Sequence, residues 1–94
     1  MQLLHDIAPQ AKVHILVIPK GAYKSSEDFY KKASQEEIIQ FHTCISDVIT
    51  QTNIGEAEGG DGFRIISNAG KNGGQEVPHY HMHILGGENL GPMV

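Results

Sequence analysis

Three histidines, His79, His81 and His83, alternate with apolar or aromatic residues in the run His-Tyr-His-Met-His-Ile-Leu. On an extended chain successive side chains point to opposite faces. All three imidazoles would then line one face, with Tyr80, Met82 and Ile84 turned the other way toward a core. Such a row offers a nucleophile, a proton donor and phosphate-binding N–H groups side by side. An unperturbed pKa of about 6.5 leaves histidine neutral, and therefore nucleophilic, at working pH. One ring nitrogen can attack while the other is held as N–H by an acceptor behind it.

Two other readings of the row are weaker. A solvated or tag-like cluster would be terminal and uninterrupted, without apolar residues at alternate positions. A metal site meets a geometric difficulty. Alternate strand residues lie about 6.7 Å apart, so His79 and His83 would have Cα atoms about 13 Å apart, whereas a Zn–N bond is about 2 Å. Two neighbouring rings can converge on an ion, but a fourth ligand would have to come from His14 or an acid. No metal ligand and no cofactor is assigned.

The chain that must position these rings has 94 residues, room for one domain spanning 1–94. It is 39% hydrophobic with eleven glycines besides, a globular composition. A formal net charge of −4, with scattered Lys and Arg, argues against a nucleic-acid partner. The longest apolar run, Ile15–Ile18, is far too short to span a membrane. The single cysteine, Cys44, fits a reducing compartment, and no charged-then-apolar leader opens the chain. A cytoplasmic location is therefore expected.

Residues 3–7 read as the end of a strand stopped by Pro9, and 11–19 as the clearest strand, β-branched and bounded by proline. Alternation puts Val13, Ile15 and Val17 on one face and His14, Leu16 and Ile18 on the other. Ser25 or Ser26 is expected to cap a short turn through Tyr30. Ser34-Gln35-Glu36-Glu37 reads as a capping box, in which Glu37 reaches back to the cap. Ile38, Phe41, Ile45, Val48 and Ile49 then recur at helical steps to about Thr52, with Asn53 and Gly55 fitting the end. An acidic glycine-rich loop over 56–62 leads to a strand over 62–68, a turn-rich loop over 69–74 and a last strand over 75–85. This order predicts an α+β fold with a mainly antiparallel sheet and a central amphipathic helix.

These residues resemble the histidine-triad (HIT) superfamily, whose signature is His-φ-His-φ-His-φ-φ with φ apolar. The following Gly86-Gly87 is similar to its Hint branch, the histidine-triad nucleotide-binding proteins and purine nucleoside phosphoramidases. Two further blocks agree in order: Asp6-Ile7-Ala8-Pro9-Gln10-Ala11 with His14-Ile15-Leu16-Val17-Ile18-Pro19-Lys20, and Asn68-Ala69-Gly70 with Gly74-Gln75. The resemblance implies a metal-independent, two-step cleavage of purine nucleoside 5′-phosphoramidates through a nucleotidyl-histidine. His81 would be the nucleophile, and His83 and His14 would hydrogen-bond phosphate oxygens. His79 would hold the imidazole row, its carbonyl accepting from His81 N–H. Asn68 and Gln75 would contact phosphate or leaving group, Asp6 the ribose hydroxyls, and Ile7 and His5 the base. It also implies a homodimer paired through Gln35–Thr52 and 63–68. A nucleotide-binding or scaffold protein with weak or no catalysis is the alternative.

From the residues alone, Asp6 near Pro9 fits an Asx turn, Asn68 a turn residue and His14 a satisfied core histidine. The resembled pattern begins with a helix and a strand hairpin, which this chain is expected to lack. One sheet edge and one core face would then be bare, inviting intermolecular pairing. Glu76 and Pro78 stand where well-known Hint enzymes carry a hydroxyl residue and an aromatic one. An ionised Glu76 would repel phosphate.

Overall fold

The computed structural model describes residues 2–6 and 8–93. Four strands, β1 (Gln2–His5), β2 (Val13–Ile18), β3 (Phe63–Ile66) and β4 (Met82–Gly86), form one antiparallel sheet in the order β1-β2-β4-β3. Two helices, α1 (Ser26–Lys32) and α2 (Gln35–Thr52), lie between β2 and β3 in sequence. The expected α+β architecture with an antiparallel sheet is therefore present. Among the described residues no helix is long and apolar enough to cross a membrane.

The α2 helix starts where its sequence says it should. Ser34 is extended, and its hydroxyl accepts from Glu37 N–H at 3.1 Å. Asn53 ends the helix in the left-handed conformation, φ 58°. Glu37 corrects the capping-box expectation: its carboxylate accepts from Tyr23 O–H and Gly21 N–H rather than from the cap. At α1, Ser25 occupies the cap position without a side-chain bond, and the helix runs past Tyr30 to Lys32. The Asp28 carboxylate reaches back past the cap and accepts from Lys24 N–H at 3.0 Å. The Lys32 ammonium, and after it that bond, hold the Asp28 carboxyl below its usual range.

The last strand is shorter than its alternation suggests, beginning at Met82 instead of residue 75. Pro78 has no N–H for a ladder, while Tyr80 N–H goes to the Tyr23 carbonyl and His79 N–H to Val77. The alternation of burial nevertheless persists through the irregular stretch. Tyr80, Met82 and Ile84 are buried, while His79, His81 and His83 are half-buried. The third strand is likewise trimmed from 62–68 to Phe63–Ile66, and the acidic loop contains a single 3-10 turn, Glu56–Glu58.

The core lies between the sheet and the helices. Phe41, Ile45 and Val48 of α2 pack with Val17, Met82 and Ile84 of the sheet and with Phe29, Ile54 and Tyr80. Phe29, Phe41 and Tyr80 stack mutually with centroids 5.1–5.3 Å apart. Burial pushes the Tyr80 hydroxyl up to about 12, so it stays protonated. Apolar side chains remain exposed on both edge strands, Leu3 and Leu4 on β1 and Phe63 and Ile65 on β3. Ile84 is fully buried in the central strand. Ile84→Ala should cost about 2–5 kcal/mol, read from the shift of the urea midpoint.

Candidate active site

The sheet register assembles the histidine face. His83 on β4 lies between Leu16 of β2 and Ile66 of β3, while His14 pairs with Leu85 and so sits diagonally from His83. Asp6 N–H donates to the His14 carbonyl at 3.2 Å, extending the β1–β2 ladder by one residue and setting Asp6 beside His14. The rings of His14 and His83 have centroids 5.1 Å apart, those of His81 and His83 5.0 Å.

Backbone groups, whose donor and acceptor roles are fixed, decide the ring tautomers. A neutral imidazole has one donor and one acceptor nitrogen. Gln10 N–H donates to His14 Nδ1 at 3.0 Å, so the proton of neutral His14 is on Nε2. That Nε2 lies 2.9 Å from His83 Nδ1, which must accept, leaving the His83 proton on Nε2. The row runs the other way at His81. Its Nδ1 is 2.8 Å from the His79 carbonyl, which can only accept, so Nδ1 carries the proton and Nε2 keeps its lone pair. Two adjacent rings thus present opposite chemistry, a nucleophilic nitrogen on His81 and an N–H donor on His83.

Electrostatics protect this arrangement. Burial, with the charged forms of His81 and His14 nearby, pushes the His83 pKa down, opposed only in part by Asp6. His83 is therefore neutral at pH 7. A depressed folded-state pKa contributes stability that is present above about 6.5, the unfolded value, and lost as pH falls through the folded value. Urea unfolding at pH 7.5 and at progressively lower pH should show less acid-side loss in His83→Asn than in the parent chain.

The His14 and His83 rings open onto a cleft of about 420 Å³ lined also by Ile66, Asn68, Leu85, Leu90, Gln10 and Arg64; His81, next to His83, and Asp6 are not among its lining residues. A larger cleft of about 580 Å³, around Asn53, Asp61 and Gly87, contains no histidine. Chemistry, not size, locates the site. Asn68 lines the histidine cleft and donates to the Gly73 carbonyl at 2.7 Å. Gln75 is used differently: its carbonyl accepts from Gly70 N–H and its amide donates to the Lys24 and Val77 carbonyls. It braces loops and does not line that cleft. His5 pairs with Ile15, which packs on the core, so it lies on the opposite face from Asp6 and is exposed. Ile7 lies outside the described residues. Asp6 forms the Asx turn, its Oδ1 accepting from Ala8 N–H at 2.8 Å, while Oδ2 is 3.4 Å from His14 Nε2. His79 contributes its carbonyl; its buried Nε2 has no hydrogen-bond partner among the described residues.

Asp6, His14 and His83 also place ligand-type atoms within 4.8 Å of one another. They are poorly suited to a metal ion. The lone pair of His14 Nδ1 is taken by Gln10 N–H, so neutral His14 turns a protonated nitrogen toward the group. Arg64 was not singled out by residue type; its place opposite Phe63 and Ile65 in the alternation was the available signal. It donates to the Gly91 carbonyl at 2.8 Å and the Pro92 carbonyl at 3.3 Å, holding the tail near the cleft.

Comparison with known proteins agrees with this geometry. Residues 1–90 match the HIT domain model. An uncharacterised HIT-like protein of Azospirillum brasilense is 46% identical over 90 residues, covering 96% of this chain and 70% of that protein. The Escherichia coli purine nucleoside phosphoramidase is 42% identical over 90 residues, covering 95% and 71%. Among solved structures, a histidine triad protein from Clostridium difficile superposes with a TM-score of 0.80 at 35% identity, covering 98% of this chain and 76% of that one. A HIT family hydrolase from Legionella pneumophila gives 0.79 at 31% identity, covering 93% and 73%. With matching signature, fold and relatives, the chain belongs to the HIT family and is hydrolase-like.

Proposed function

We propose that this protein is a single-domain, cytoplasmic nucleotide hydrolase or nucleotidyl transferase that cleaves the P–N bond of purine nucleoside 5′-phosphoramidates. The observation that carries the reading is the opposed tautomer pair, a free Nε2 on His81 beside an Nε2–H on His83. The similarity to a purine nucleoside phosphoramidase supports the substrate class.

His81 Nε2 attacks the α-phosphorus while its Nδ1–H stays bonded to the His79 carbonyl, which stabilises the charge developing on the ring. The P–N bond of the substrate breaks, and the leaving nitrogen departs as an amine after taking up a proton from solvent, which the attacking water returns in the second step. His83 Nε2–H donates to a phosphoryl oxygen as charge accumulates there. Water then cleaves the P–Nε2 bond, releasing the nucleoside monophosphate and restoring neutral His81. His14 acts through His83, because the nitrogen that could reach a phosphate is the one bonded to it. Asp6, a carboxylate with acceptor sites beyond its two contacts, takes the ribose hydroxyls. Asn68 reaches the phosphate from the cleft wall, and Gln75 acts by bracing the loop that carries it. Two copies pair through α2 and β3, where Phe63 and Ile65 are exposed.

Incubation with adenosine 5′-phosphoramidate should release adenosine monophosphate and ammonia in equal amounts, without added metal and in the presence of chelator. Binding of adenosine monophosphate with no release at any enzyme concentration would instead establish a nucleotide-binding scaffold.

A further inference from the structure

Residues 21–23 make contacts that the chemistry above does not use. Glu37, fixed in the first turn of α2 by the Ser34 cap, accepts from the Tyr23 hydroxyl and, at 3.2 Å, from Gly21 N–H. The Glu37 carboxylate holds the Tyr23 phenol above its ordinary pKa, so the hydroxyl remains a donor. The same tyrosine's backbone carbonyl accepts from Tyr80 N–H at 2.7 Å. Tyr80 stands between His79, whose carbonyl faces His81, and His81 itself. This stretch precedes β4 and lacks ladder bonds of its own. Gly21 is packed against the pair: a Cβ there would sit 2.6 Å from the Tyr23 ring and 2.9 Å from the Glu37 carboxylate.

We infer that Tyr23 and Glu37 are positioning residues that hold the Tyr80 backbone, and with it the His79 carbonyl, in register with the His81 imidazole. The path runs from the α2 first turn through one side-chain pair and one backbone bond to the carbonyl that sets the His81 tautomer. It rests on the catalytic reading proposed above for its kinetic consequence, though not for its structural one. A misplacement of about 1 Å near a reacting group can cost roughly 10²-fold in rate, and a loosened carbonyl would leave His81 free to adopt the wrong tautomer.

Tyr23→Phe and Glu37→Gln test this, with Glu36→Gln as a control, since Glu36 is exposed and its side chain bonds only Gln40 among the described residues. In each test variant kcat should fall about tenfold with KM changed less than twofold. The Tyr80 amide should exchange faster with solvent, and the ring-nitrogen NMR signals of His81 should lose their Nδ1–H character. The double variant should be no slower than the slower single variant, because both act through one bond. If Tyr23→Phe fails to fold, Gly21→Ala, which wedges the same pair, takes its place. Folded variants with parental kcat, or a KM effect without a kcat effect, would overturn the inference. Should the parent chain show no turnover, the proposed function fails, but the Tyr80 exchange rate and His81 signals still decide the structural claim.

Discussion

Replacing His81 with alanine or asparagine should lower kcat by on the order of 10⁴-fold or more while leaving adenosine monophosphate binding within a few-fold of the parent. The large effect follows from what His81 alone supplies. Its Nε2 is a free lone pair beside the His83 donor, because the backbone carbonyl of His79 holds the proton on Nδ1. His83 is no substitute, since its Nδ1 is taken by His14 and its Nε2 carries the proton. Binding should survive because the cleft walls, Ile66, Asn68, Leu85 and Leu90, are untouched. Single-turnover kinetics with isothermal titration of the monophosphate separate the two quantities. Loss of binding in parallel with turnover would mean that His81 organises the cleft instead of attacking.

The second large effect concerns His83 and His14. Removing one donor aimed at a phosphoryl oxygen typically costs roughly 10²–10³ in kcat, and His83→Ala should fall in that range. His14→Ala should cause a comparable loss without any contact to substrate. It deletes the Nε2–H that keeps His83 Nδ1 unprotonated, so the His83 proton is free to move to the wrong nitrogen. Because one residue works through the other, the double variant should be no worse than the more damaged single variant. Multiplicative losses would show instead that His14 meets the phosphate independently.

Much of this was legible in the residues, for identifiable reasons. The His79-to-Leu85 alternation placed three imidazoles opposite Tyr80, Met82 and Ile84, and that division of burial holds although the strand begins only at Met82. Period-2 burial needs an extended chain, whereas strand pairing needs free N–H groups, and Pro78 and the Tyr23 carbonyl removed those. The Ser34 cap and the Ile38-to-Ile49 stripe marked α2 well, because local geometry determines both. Glu37 was misplaced because a capping box counts only local donors, whereas the carboxylate found two donors sixteen and fourteen residues away. His14 could be read either as a satisfied core histidine or as a site residue. The structure joins the two descriptions, since it is buried and satisfied by Gln10 and lies against His83. Gln75 and His5 were tied to the site by resemblance in sequence, which carries no information on which way a side chain turns.

The central claim is covalent catalysis by His81, and one measurement reaches it directly. The protein is mixed with an adenosine phosphoramidate, quenched within milliseconds under conditions that preserve phosphorus–nitrogen bonds, digested and examined by mass spectrometry. The expected result is an adenylyl increment on His81, formed and lost at rates that account for turnover. Full turnover with no adduct at any quench time, or an adduct on a different residue, would contradict it.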